Sequence, residues 1–198
     1  PEVVVRKSHI QLTLARDMAS GLAYLHARLP KPVLHRDIKS ANVLLFTGRA
    51  NSLTAKIADF GLATGVGGTT LASTATHAGG GGLTGTYAYM APEVWQNKYS
   101  VKSDVYSFGI VLWEILTGER PWQRDKQGHD IINPIVISTF VHRGERPPLG
   151  NSTGPPALVA MTKKCWHKLE SERPAMSQVQ RRIELALDQL PARKDSNS

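Results

Sequence analysis

A chain of 198 residues can bury one substantial core, and 41% hydrophobic with 20% charged residues is a globular rather than a disordered composition. The formal net charge is +8, yet the basic residues occur at most in pairs, as at Arg6-Lys7, Lys163-Lys164 and Arg181-Arg182. Nucleic-acid binding is therefore not expected. No apolar run approaches the roughly 20 residues that span a bilayer, and the opening apolar stretch is too short for a secretory leader.

Ser8 followed by Gln11 reads as a capping box, and Ile10, Leu14, Met18, Leu22 and Leu25 then recur at helical spacing through His26. Pro30 and Pro32 end that helix. Val33-Leu34 leads into a loop at His35, and Val43-Leu44-Leu45-Phe46 with Ala55-Lys56-Ile57-Ala58 predict two short strands joined by a turn at Gly48 and Asn51. This order puts Asp37 and Asn42 before one strand and Asp59 just after the next, so three polar side chains can converge on one cleft.

Residues 64–85 include eight glycines among Thr, Ser and Ala, a composition that predicts a mobile segment. Asp104 to Leu116 is apolar nearly all round, as in a central buried helix, with Gly118 as its C-terminal cap. Asn133-Pro134 predicts an N-cap and first turn for a helix through about His142, stopped by Gly144. A further helix covers about Ala157 to Lys168, and a last one carries Val179, Ile183, Leu187 and Leu190, followed by a disordered tail, 191–198. Cys165 is the single cysteine, so no internal disulfide forms, which suits a reducing compartment. Its surroundings predict a buried structural thiol.

Three motifs in one order carry the chemistry: His35-Arg36-Asp37-Ile38-Lys39-Ser40-Ala41-Asn42, Asp59-Phe60-Gly61 and Ala91-Pro92-Glu93. They resemble H-R-D-x-x-x-x-N, D-F-G and A-P-E, the catalytic loop and activation segment of eukaryotic protein kinases. Gly85-Thr86-Tyr87-Ala88-Tyr89-Met90-Ala91-Pro92-Glu93, with Cys165-Trp166 and Glu172-Arg173-Pro174, is similar to the tyrosine-kinase-like group of Ser/Thr kinases. The resemblance implies a mainly α fold with a few short strands: the C-terminal lobe over residues 1–190, with a catalytic loop at 35–42 and an activation segment at 59–93. The 34 residues before His35 hold no glycine-rich hairpin, no V-A-I-K lysine and no helix glutamate, so the N-terminal lobe is expected to be absent from this chain.

Roles follow from the same resemblance. Asp37 would accept the substrate hydroxyl proton, and Asn42 and Asp59 would hold Mg2+, with Mn2+ as a substitute, on the phosphates of ATP. Lys39 would reach the transferring phosphate, Thr86 would bond Asp37 and Lys39, and Leu44 would lie beneath the adenine ring. Lys39 and Thr86 imply Ser/Thr hydroxyls of proteins as substrates. Arg36 implies regulation by a phosphorylated loop residue, with Thr69, Thr70, Ser73, Thr74, Thr76 and Thr84 as candidates. Asp104 would brace the catalytic loop, Glu93 would pair with Arg173, and His35, Phe60 and Gly61 would be structural.

Gly80-Gly81-Gly82-Leu83-Thr84-Gly85 satisfies G-x-G-x-x-G, but it follows Asp59-Phe60-Gly61 and is read as coincidence. Asn151-Ser152-Thr153 is a glycosylation sequon by pattern alone, and the remaining histidines lack zinc-ligand spacing. Taken together, a cytoplasmic kinase domain is expected, anchored to a membrane only through segments not in this chain. As an isolated half it should be inactive, and the competing reading is a non-catalytic interaction module.

Overall fold

The computed structural model describes residues 2–48, 52–60, 64–65, 86–123, 133–150 and 154–191. In chain order these form α1 (Glu2–His26), β1 (Val33–Leu34), β2 (Val43–Thr47), β3 (Leu53–Ile57), β4 (Thr64–Gly65), α2 (Val101–Thr117), α3 (Pro134–Arg143), α4 (Pro156–Cys165) and α5 (Met176–Asp188). Short 3-10 helices fill Ser40–Asn42, Pro92–Gln96 and Glu170–Glu172. The fold is mostly helical with few strands, as expected.

α2 is the centre. Val105, Phe108, Ile110, Val111, Leu112 and Trp113 point in different directions round it, and all are buried. Ser100 caps its start by accepting from Lys102 N, with Ser103 Oγ accepting in turn from Ser100 N, and Gly118 closes its end at φ +74°. α4 lies against α2 where Gly109 permits it: a Cβ there would sit 3.0 Å from both Cys165 Cβ and Trp166 N. α1 packs on α5, on β3 and on α2. Cys165 is fully buried as expected, and burial pushes its thiol up to about 12.

Several elements differ from the sequence expectation. α1 begins at Glu2, so Ser8 lies inside the helix and caps nothing; Gln11 Nε2 instead donates to Ile115 O at 2.7 Å. The run Val3-Val4-Val5 is poor in helix propensity, and tertiary packing of the rest of α1 overrides it. The buried face of α1 is Leu12, Ala15, Met18, Ala19 and Leu22, while Ile10 is exposed and Leu14 and Leu25 are only partly covered. Thr64–Gly65, expected within the mobile segment, pairs antiparallel with β1. α4 ends at Cys165 rather than Lys168, where Trp166 caps it. Pro191, expected in the tail, accepts from His9 Nε2 through its carbonyl at 3.0 Å.

Asn51, Gly61, the candidates Thr69, Thr70, Ser73, Thr74, Thr76 and Thr84, the Gly80-to-Gly85 match, the sequon and residues 192–198 lie outside the described residues.

Candidate active site

β2 and β3 form an antiparallel hairpin in which Val43 faces Ile57 and Thr47 faces Leu53. Val43, Ala55 and Ile57 sit on the face turned to α1, which fixes the register, because a slip by one would turn them outward. Beyond the last pair, Ala58 N donates to Asn42 O at 2.8 Å. Asp59 is the next residue, so the register alone carries it to the end of the hairpin where Asn42 stands. Leu44 lies on the opposite, open face and is 48% exposed.

Asp37 is buried at 8% exposure. Its Oδ2 accepts from Lys39 Nζ at 2.7 Å and from Asn42 Nδ2 at 2.9 Å. Asn42 Nδ2 also donates to Asp37 O at 2.8 Å, so the amide end of Asn42 is committed inward and Oδ1 is its remaining oxygen. Lys39 Nζ further donates to Thr86 Oγ1 at 3.1 Å, joining the loop to the segment before Pro92. The other oxygen of Asp37, Oδ1, is buried and has no hydrogen-bond partner among the described residues. Leaving such a group unpaired costs about 1–3 kcal/mol, and more when charged, so its retention calls for a chemical reason.

The loop that presents Asp37 is held from α2. Asp104 accepts from His35 N and from Arg36 N, each at 2.9 Å, and its Oδ2 also meets His26 Nε2 at 2.9 Å. Two consecutive amides on one carboxylate require a turned backbone, and Arg36 has φ 67°, a region that L side chains rarely adopt. Asp59 is likewise left-handed at φ 64°. Strained residues on both sides of one cleft are a recurrent mark of functional sites.

His35 is fully buried and uses both nitrogens. Nδ1 accepts from Asp37 N at 3.4 Å, so Nε2 carries the hydrogen and donates to Ala58 O at 3.1 Å. Its ring lies 5.2 Å from that of Phe60, which is 50% exposed rather than enclosed. The Arg36 guanidinium lies 5.1 Å from the Tyr99 ring centre.

Glu93 and Arg173 form a bidentate pair, Nη1 to Oε1 at 2.6 Å and Nη2 to Oε2 at 2.9 Å, with Ser103 Oγ donating to Oε1 at 2.9 Å. Burial pushes the Glu93 carboxyl up, but the bonds and charge of Arg173 outweigh it and hold it below its ordinary 4.5.

Sequence reasoning missed His26, Ser40, Ser107, Tyr89 and Glu114. Ser107 Oγ donates to Tyr89 O at 2.8 Å, and Tyr89 OH donates to Glu114 Oε1 at 2.9 Å. The signal was present: Ser103, Asp104, Ser107 and Glu114 are polar residues in a helix that is otherwise buried, and buried polar groups need partners.

The mostly helical fold with few strands is consistent with a kinase-like fold. The family profile described as protein tyrosine and serine/threonine kinase matches residues 5–183. The chain is 38% identical over 169 residues to mitogen-activated protein kinase kinase kinase 7 of Drosophila melanogaster, covering 85% of this chain and 22% of that protein. It is 35% identical to mitogen-activated protein kinase kinase kinase 10 of Homo sapiens (92% of this chain, 18% of that protein). It is 39% identical to serine/threonine/tyrosine-protein kinase HT1 of Arabidopsis thaliana (85% and 38%). The chain belongs to the protein kinase family, in its tyrosine-kinase-like group. It spans between about a fifth and two fifths of the length of these relatives.

Proposed function

We propose that residues 1–190 are the C-terminal lobe of a signalling protein kinase that transfers the γ-phosphate of ATP to Ser or Thr hydroxyls of proteins. The observation that carries this reading is the Asp37 carboxylate, held through Oδ2 by Lys39 and Asn42 while the buried Oδ1 lacks a partner among the described residues. A hydroxyl entering the cleft satisfies that oxygen, and Asp37 orients it and takes its proton. Lys39, already bridging Asp37 and Thr86, places a point charge beside the incoming phosphate. Thr86 fixes where that charge stands.

Asn42 Oδ1 and the Asp59 carboxylate suit Mg2+, which takes one or two protein oxygens and completes its shell from phosphate and water. Among the described residues no group of three or more His, Cys, Asp or Glu side chains gathers into a fuller cage, in keeping with that donor set. When bound, Mg2+ or Mn2+ neutralises charge on the phosphates. Leu44, open on the outer face of the hairpin, offers an apolar floor for adenine. Arg36 is the residue to which a phosphorylated loop hydroxyl would bind.

A cytoplasmic place for this domain follows from its reading as a signalling kinase; separately, among the described residues no helix is long and apolar enough to cross a membrane. The competing reading is a non-catalytic lobe that docks partners; the unpaired Asp37 Oδ1 argues against it, since a docking surface has no use for a buried orphan oxygen.

In the complete kinase that carries this chain, Asp37→Asn should lower kcat by about 10²- to 10⁴-fold on a protein substrate. Phosphoamino-acid analysis should return phosphoserine and phosphothreonine. Mainly phosphotyrosine would refute the hydroxyl specificity, and an Asp37→Asn enzyme of undiminished kcat would refute the site.

A further inference from the structure

We propose that Asp17 is a positioning residue: its hydrogen bond to the β3 backbone fixes where the β2–β3 hairpin sits along α1, and so fixes the place of Asp59 at the end of that hairpin. The inference rests on the site assigned above and extends it to a residue on α1, outside all three motifs. Asp17 Oδ2 accepts from Ala55 N at 3.1 Å. That amide is free to do so because of the ladder. Ala58 N donates across to Asn42 O, and bonding alternates along an antiparallel pair, so the amides of Ala55 and Ile57 point away from β2.

Helix and strand run in step from this bond. One turn further along α1, a Cβ built on Gly21 would lie 3.7 Å from Ile57 Cδ1. Four helical residues rise about 6 Å, and two strand residues advance about 6.6 Å, so Asp17 beside Ala55 and Gly21 beside Ile57 belong to one register. Asp59 is two residues past Ile57. Any slide of the hairpin along α1 therefore carries Asp59 with it.

Apolar packing does not choose this register by itself. Leu53, Ala55 and Ile57 alternate on one face of β3, so a slip of one residue is rejected, but a slip of two keeps the same face inward. A bond to one particular amide discriminates between the two. Arg16 prepares Asp17 for that bond. Its Nε and Nη2 donate to Asp17 Oδ1 at 3.0 and 2.7 Å, which leaves Oδ2 for the strand. Adjacent helical residues do not face each other, so Arg16 must fold along the helix to reach. The side chain of Arg16 is 41% exposed, and so open a pair adds little stability; what it sets is the orientation of the carboxylate.

The test has two readouts. In this chain, hydrogen exchange is followed at Ala58 N, which touches Asn42 rather than Asp17 and stands next to Asp59. Asp17→Leu should speed exchange there by about tenfold and leave the amides of α4 unchanged. Asp17→Asn, which keeps an acceptor oxygen, should restore most of the protection. Arg16→Ala should speed exchange by about threefold, since it frees the carboxylate without removing it. Exchange at Ala58 that ignores Asp17→Leu would overturn the proposal. If Asp17→Leu fails to fold, exchange that ignores Arg16→Ala would overturn it instead.

In the complete kinase, Asp17→Leu should raise the Mg2+ concentration for half-maximal rate by about tenfold, while kcat at saturating Mg2+ changes far less. Asp17→Asn should stay close to wild type. A merely structural loss would lower the rate at every Mg2+ concentration and leave half-saturation where it was, and that result would sink the positioning role. A wild type that transfers no phosphate would sink the proposed activity instead, and the exchange result would then decide the positioning role.

Discussion

Two glutamates near the cleft are driven in opposite directions by their neighbours. Glu93 sits below its ordinary 4.5: burial opposes the shift, and the Arg173 bonds and charge more than reverse it. Its folded carboxyl binds a proton less readily than the unfolded one, so the pair's stabilisation is present above 4.5 and is lost as pH falls through the depressed value. Glu114 sits above 4.5, because burial outweighs the bonds from Tyr89 and Ser40 and the charge of Arg120. Its folded carboxyl holds a proton better, so its contribution is complete below 4.5 and fades as pH rises through the raised value. Arg173 is 1% exposed, and removing its partner leaves a buried cation, a loss of about 3 kcal/mol or more. Glu93→Gln should therefore melt well below the wild type at pH 7, with the gap narrowing under acid. Glu114→Gln should instead flatten the fall in stability above 4.5. Melting curves from pH 3 to 8 check both, and a Glu93→Gln gap that stays constant across that range would mean the ion pair is not its cause.

At the scale of elements, what could be read from sequence was what is local. Asp37, Lys39 and Asn42 lie within six residues, and the structure brings them together as the motif implied. Gly118, Asn133-Pro134 and Gly144 were legible as caps because each acts on its own helix. The inward face of α1 was not, because Ile10 and Leu14 repeat at helical spacing as well as Leu12 and Ala15 do. Only the placement of α2 and α5 selects between the two stripes. The Tyr89–Glu114 and Gln11–Ile115 contacts were out of reach for the same reason, since their partners are 25 and 104 residues apart. The contact of α2 with α4 is of this non-local kind, and it depends on one missing side chain. Gly109→Ala puts a methyl 3.0 Å from Cys165 Cβ and Trp166 N, and the backbone nitrogen cannot rotate away. Overpacking should cost about 1–3 kcal/mol despite the better helix propensity of alanine. A Gly109→Ala protein that melts at or above the wild-type temperature would show that α4 can move aside freely.

For the molecule as a whole, the arrangement of apolar surface bears on what ATP can gain by binding. Leu44, Phe46 and Phe60 are each about half exposed, at 48%, 46% and 50%, whereas twenty-nine hydrophobic side chains among the described residues are buried below a tenth of their area. In the proposed reading these residues form one wall of the nucleotide site, and Asp37, Asn42 and Asp59 supply its polar end. A ligand pressed against one wall keeps most of its surface in water, and tight small-molecule sites enclose 70–90% of theirs. Linkage then sets the size of the response: binding stabilises by RT ln(1 + [L]/Kd), about 2.7 kcal/mol at one hundred times Kd and almost nothing well below Kd. For this chain, millimolar ATP with Mg2+ should raise the melting temperature by less than about 1 °C. The complete kinase should gain several degrees under the same conditions. The difference should vanish in the complete kinase when Asp59→Ala removes the carboxylate assigned to Mg2+. A shift of several degrees in this chain by itself would mean that residues 2–191 already enclose the nucleotide, and the one-walled site would have to be abandoned.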